Sequence, residues 1–394
     1  MTATATPTLV NPDLITDLQR FGAAEINACF SCGNCTAICP LADNDATFPR
    51  RIIRLAQVGL DHELVSSKEL WTCYQCGRCT DRCPQEADPA EFMATARRYA
   101  IAHYDKTRIA RILYTKPVIG AIIVVAAALA FALFFASVRR EESRVHLALF
   151  EFIPYSIIHT VGIVLMIVVA VLALVSLVLM VLDLARRDGV TARTLFGGRA
   201  AWGRTLRAAW YAVGIEALWQ RRYRQDCVDD EPVEPLLVRR WLIHLLTVWG
   251  FLGLLLATIL NYGLDLLGIK PTGTLVPIYY PVRLLGTVAG LALMYGVTAL
   301  AQRRAVRTKR GKLISKPTDW LLLGMLWFVG LTGFLIEVAL YIQPVQPWGY
   351  WVFLIHVAIA MELVLFLPFT KLAHVMYRPV ALFFYGLAKD RVRP

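Results

Sequence analysis

Eight of the nine cysteines stand in two copies of one spacing. "CFSCGNCTAICP" runs from Cys29 to Pro40, and "CYQCGRCTDRCP" repeats it from Cys73 to Pro84. The pattern C-x2-C-x2-C-x3-C-P wraps three thiolates around one face of a cubane iron-sulfur cluster and sends the fourth to a neighbouring cluster. Two copies therefore predict two [4Fe-4S] centres, the first on Cys29, Cys32, Cys35 and Cys83, the second on Cys73, Cys76, Cys79 and Cys39. Pro40 and Pro84 end each run by stopping helix continuation. Structural zinc is the competing use of paired CxxC, but it has no role for a third cysteine two residues further on. Cys227 has no cysteine neighbours and reads as a bystander thiol.

Histidines and a few charged residues in apolar stretches offer a second chemistry. Two imidazoles facing each other across a helix bundle can hold a b haem. His244, His374, His159 and His356 lie in or beside long apolar runs. His62, His103 and His146 read as ordinary surface or satisfied side chains, with His146 held in reserve as a haem ligand. Glu362, Glu337 and Arg283 also fall in apolar runs, where ionisable groups are rare. Arg283 would suit a haem propionate, and Glu337 would suit proton transfer with a quinone. Mutual pairing is the plain alternative for both.

The elements that must position these groups follow from composition. The chain is 57% apolar and only 18% charged, which excludes an ordinary soluble enzyme. A hydrocarbon core of about 30 Å needs roughly 20 apolar residues of helix. Six stretches qualify: 117–137, 155–182, 241–260, 284–301, 320–342 and 348–370, the fourth extendable through "VPIYYPV". The segments 96–116, 186–240, 302–318 and 371–394 carry 6, 11, 7 and 5 Lys and Arg, whereas 138–154, 261–283 and 343–347 carry 3, 2 and 0. The positive-inside rule then makes the first set, both termini and the cysteines cytoplasmic, in a multi-pass protein of the cytoplasmic membrane. "MTATATPTLVNPD" has no secretory pattern, and a reducing compartment favours metal over disulfides. The net charge of +12 is spread through loops instead of forming a patch, so nucleic acid is excluded as a partner.

Around the cysteines, "PRRIIRLAQVGL" places Ile52, Ile53, Ala56 and Leu60 at helical spacing. "DPAEFMATARRYAIAHY" opens with Asp88 as N-cap, Pro89 at the first helical position and Glu91 to complete a capping box. The fold class is all-α: a cytoplasmic α-helical di-[4Fe-4S] ferredoxin over 1–112, then a six-helix transmembrane cytochrome b bundle over 113–394. His356 and His374 are eighteen residues apart, five turns and about 27 Å on one helix, which predicts one haem near each face. Depth pairs His374 with His244 for an inner haem and His356 with His159 for an outer one. The loop 186–240, with Trp202, Trp210 and Trp219, reads as an amphipathic helix that docks soluble subunits or lies on anionic lipid.

"CFSCGNCTAICP", "FPRRIIRLAQVGL" and "CYQCGRCTDRCP" resemble the small C-type di-cluster ferredoxin of heterodisulfide reductase. "RRWLIHLLTVWGFLG" and "LIHVAIAMELVLFLPFTKLAHVMYRP" resemble the E-type b cytochrome of that enzyme, itself similar to the gamma subunit of respiratory nitrate reductase. The fused arrangement resembles the ferredoxin-cytochrome subunit of the quinone-interacting membrane-bound oxidoreductase complex, over nearly the whole chain. The nitrate reductase pattern carries two haem histidines ten residues apart, and here Leu254 stands ten after His244. The resemblance implies two cytoplasmic heterodisulfide-reductase A-like flavoprotein partners, a menaquinone pool, and adenylylsulfate reductase as a soluble redox partner. The function implied is the quinone-reactive subunit of an oxidoreductase, inactive alone. Two alternatives stand beside it: a related subunit of a heterodisulfide, sulfite-linked or nitrate-type complex, and a non-catalytic iron-sulfur anchor or sensor.

Overall fold

The structure is a computed structural model describing residues 9–23, 25–42, 47–226, 235–270, 273, 275–306, 316–342 and 344–392. Cys227 lies outside them. Among the described residues there are helices and no strands, as the apolar periodicities require. Six helices among the described residues are long and apolar enough to cross a membrane: Pro117–Ser137, Tyr155–Asp188, Arg240–Leu266, Pro281–Ala305, Pro317–Tyr341 and Trp348–Phe366, here called spans one to six. Side chains such as Ile122, Val125, Leu129, Val168, Val171 and Leu174 point outward and exposed. A helix apolar all round with its outer face uncovered belongs in hydrocarbon, where all its backbone groups are paired within the helix.

Several boundaries differ from the sequence reading, each for a local reason. Span two runs six residues past 182 and stops at Gly189, whose φ of 60° closes the helix. Span four starts at Pro281, so "VPIYY" stays outside it. Span six ends at Phe366 instead of 370. The chain then turns through Pro368, whose ring cannot continue the helical ladder, and a new helix runs His374–Val392. His356 and His374 therefore sit on separate helices, and the five-turn argument for their spacing does not apply. Spans three and four pack closest. A Cβ at Gly250 would stand 2.5 Å from the Leu293 backbone nitrogen, and one at Gly296 would stand 2.2 Å from Thr247 Oγ1. Small residues there let the backbones touch.

The N-terminal helices pack on the end of the bundle formed by the starts of spans one, three and five, the ends of spans two, four and six, and the terminal helix. We call this the module end. Helix Arg50–Gln57 buries Ile52, Ile53 and Ala56, as its period demands. Helix Pro89–Tyr104 is capped by Asp88, which accepts from the Glu91 backbone N–H at 3.3 Å. The reciprocal half of the expected capping box is missing, because the Glu91 carboxylate turns away to accept from Arg98 at 2.8 Å. Arg98 also lies 3.8 Å from Asp319 at the start of span five, which pairs with Arg304 at 3.2 Å and Lys371 at 3.1 Å. At 5% exposure Asp319 is a buried hub joining the N-terminal module to spans four and five and the turn after span six. Arg187 at the end of span two adds hydrogen bonds to the Glu63 carbonyl, Ser66 and Ser67. Trp71 stacks on Tyr377 with centroids 5.2 Å apart.

Candidate metal centres

The two cysteine motifs repeat in conformation as well as in sequence. Gly33 and Gly77 adopt φ of 89° and 92°, and Ser31 and Gln75 adopt 61° and 55°. These left-handed positions curl the chain within each motif, and each glycine opens one short helix, Asn34–Ala37 or Arg78–Asp81. The motifs also cross. Cys39 from the first copy lines one pocket with Cys73, Cys76 and Cys79 from the second. Asn34, the residue before Cys35, donates to the carbonyl of Arg82, the residue before Cys83. Cys35 has Cys29 and Cys32 as its electrostatic neighbours. The placement thus brings together Cys39, Cys73, Cys76 and Cys79, and lays the Cys83 segment against the first copy.

The donor set is built for a positive guest. Burial pushes the Cys35, Cys73 and Cys79 thiols up and takes Cys39 up to about 12. Left to themselves these groups are neutral thiols, and a bound cation is what turns them into thiolates. Arg97 supplies a second sign. Its Nη2 is enclosed without a hydrogen-bond partner among the described residues, burial lowers its pKa, and the strongest influence in the other direction is Cys73. A buried guanidinium needs an anion, and a cluster with four thiolates is one. Among the described residues no three Cys, His, Asp or Glu side chains close around a single ion.

His244 stands on the first turns of span three, and His374 opens the terminal helix. Their ring centroids are 6.3 Å apart with planes at 47°. His374 Nδ1 is 2.6 Å from the Lys371 carbonyl, which can only accept, so Nδ1 carries the proton and Nε2 is bare. His244 Nδ1 lies 3.0 Å from the Gln220 amide oxygen, with the same consequence. Burial holds His374 down to about 4, so the ring is neutral and keeps a lone pair for a metal.

Residues 25–87 match the family described as a 4Fe-4S dicluster domain. No curated protein and no solved structure matches the chain. A dicluster domain joined to six membrane-capable helices gives the chain a role in membrane electron transfer.

The dicluster domain reaches the imidazole pair through aromatic side chains. Tyr74 follows Cys73 and stacks on Tyr223 with centroids 5.0 Å apart at 12°. Tyr223 meets His244 edge-on at 5.8 Å. Arg378 lies 4.5 Å over the Tyr74 ring, and the Tyr74 hydroxyl donates to Glu216 at 2.9 Å. Arg240 donates to the Cys76 carbonyl at 2.9 Å. Sequence reading missed Tyr223, Gln220, Glu216 and Arg97. Only Tyr74 carried a signal, its place inside a cluster motif.

The far half of the bundle is less convergent. His356 Nδ1 lies 2.9 Å from Thr332 Oγ1, whose own proton goes to the Phe328 carbonyl at 2.7 Å. His159 packs between Tyr155 and Tyr262, at 4.2 and 4.6 Å, and is not in contact with His356. Depth is not the reason, because Gly162 and Met361 meet a turn or so away at the same level. Phase is. Five residues of helix rotate His356 by about 140° from the Met361 face that meets span two, toward span five. His146 is exposed. Arg283 and Glu337 pair at 3.5 Å, with Thr287 donating to Glu337 at 2.9 Å and Arg283 5.0 Å over Tyr341. Glu362, 3% exposed, has an oxygen with no partner.

Proposed function

We propose that this chain passes single electrons between a quinone in the membrane and soluble flavoprotein subunits. Two [4Fe-4S] clusters would be held by Cys29, Cys32, Cys35 and Cys83, and by Cys73, Cys76, Cys79 and Cys39. A b haem would be held by His244 and His374. The observation that carries the reading is the line from Cys73 through Tyr74 and Tyr223 to His244. Two imidazoles that share one iron at bonds of about 2 Å would have ring centres about 6 Å apart, and 6.3 Å is what His244 and His374 show. Both Nδ1 atoms bonded to acceptors leave both Nε2 atoms for iron, the usual outer-shell arrangement of ligating histidines. The haem supplies a one-electron couple, and what this chain does is set its place and surroundings.

The order of centres follows from exposure. The Cys73 site abuts the bundle, whereas Cys32 is exposed and Phe30 beside it is 61% exposed. The second site is thus the membrane-side centre and the first faces the soluble partners. Those partners are two heterodisulfide-reductase A-like flavoproteins, with adenylylsulfate reductase beyond them. The quinone reaction, with menaquinone as substrate, is assigned to the far end, in the vicinity of Arg283 and Glu337. That ion pair can loosen to free a carboxylate for protons. A second haem on His356 and His159 rests on the sequence argument alone, because these rings do not oppose one another here. The module end is the cytoplasmic one by the distribution of Lys and Arg.

Purification of the full chain in detergent with whatever subunits accompany it, followed by counts of flavin, haem and iron, tests this reading. It expects flavin to co-purify and haem to appear with about eight cluster irons. A preparation with the cluster iron but neither haem nor flavin would overturn it.

A further inference from the structure

Gln220 is a polar side chain that the proposed conduit does not by itself require. It is 4% exposed and directly follows the wide helical turn Tyr211–Leu218 and Trp219. Its φ of 52° is a left-handed conformation that a residue with a Cβ adopts at a cost, and such strain persists where the surroundings impose it. Its amide oxygen lies 3.0 Å from His244 Nδ1, while its amide nitrogen is enclosed with no partner among the described residues. A half-satisfied buried amide is costly. Leucine would fill much the same space without that cost, so packing does not account for glutamine.

The hydrogen bond to His244 does account for it. If the amide faced the other way its nitrogen would donate to Nδ1, Nε2 would keep the ring proton, and the imidazole would have no bare nitrogen left for iron. With the oxygen inward, Nδ1 must donate and Nε2 is bare. The Lys371 carbonyl imposes the same state on His374. One ring is thus fixed by a backbone carbonyl and its partner by a side chain.

We propose that Gln220 is a positioning residue for His244, holding the imidazole in the one tautomer and orientation that lets the pair grip iron. The inference rests on the haem reading above. Three residues further on, Tyr223 stacks on Tyr74, so the same short turn also sets the distance from His244 to the second cysteine site.

The test uses the full chain in detergent, as wild type, Q220L and Q220E. Haem affinity, the optical midpoint potential and the low-spin ferric resonance are measured, with the cluster resonances as a check on folding. Q220L removes the acceptor and is expected to weaken haem retention about 10–100-fold while the clusters remain. Q220E restores an acceptor and is expected to retain haem with a midpoint below that of wild type, since a carboxylate makes the ligand more basic. Wild-type affinity and midpoint in Q220L would overturn the inference and leave the haem reading standing, whereas a wild type without haem would overturn that reading itself. Should Q220L lose its cluster resonances, Q220E decides: a haem-loaded protein with a lowered midpoint supports the inference, and haem loss or an unmoved midpoint overturns it.

Discussion

The two cysteine sites share one sequence pattern and one backbone curl, yet they stand in different surroundings. Around the second, Cys73 is buried with Arg97 and Arg378 as its nearby cations, Arg240 reaches the Cys76 carbonyl, and Tyr74 leads to Tyr223 and His244. Around the first, Cys32 is exposed. Spacing decides which thiols meet, and the neighbours decide what a centre at each site can exchange electrons with. A repeat in sequence is thus not a repeat in role.

The sharpest way to break that contrast is to remove one site at a time. Cys79→Ser should abolish the second cluster's resonance and all electron transfer between the membrane centre and soluble acceptors. Cys83→Ser should remove only the first cluster and spare exchange between the second cluster and the haem, both read by resonance after rapid freezing. If Cys79→Ser transfers electrons at the wild-type rate, the second site is not the bridge. Next in size is the joint on which both sites depend. Asp319→Asn leaves Arg98, Arg304 and Lys371 without their shared carboxylate and should cost about 3–5 kcal/mol, seen as a lower midpoint of thermal unfolding with cluster absorbance as the probe. No change would mean the hub does not hold the module to the bundle.

Arg97→Gln changes the charge at one site only. Removing a buried cation beside the second cluster should disfavour its reduction about tenfold, close to 59 mV for a one-electron couple, and leave the first cluster unmoved in a redox titration. Equal shifts in both would deny the electrostatic difference. The smallest effect is expected for His159→Ala, where the haem spectrum should stay as in wild type. A lost haem band would return His159 to the ligands.

Much of this architecture is legible in the residues. Six spans follow from apolar length, and the grouping of Cys39 with the second motif follows from the alternation of the fourth cysteine. His244 and His374, matched by depth in the sequence, stand with ring centroids 6.3 Å apart at the module end where helices converge. For His356 and His159 depth was not enough: a pairing also needs rotation about each axis, and that depends on which helices are neighbours. The break at Pro368 was readable, since proline stops a ladder, yet the apolar run through Leu367 and Phe369 hid it. Gln220 and Tyr223 left no trace, lying in a basic loop whose path only tertiary contacts define.

The proposed conduit requires a haem held by imidazoles of span three and the terminal helix beside the second cysteine site. The reduced-minus-oxidised optical spectrum of the purified full chain, wild type against His374→Ala, addresses it most directly. Wild type should show a b-type Soret band that is lost in the variant, with iron and labile sulfide of the clusters retained in both. A wild type with full cluster iron and no Soret band, or a variant with the band unchanged, would contradict it.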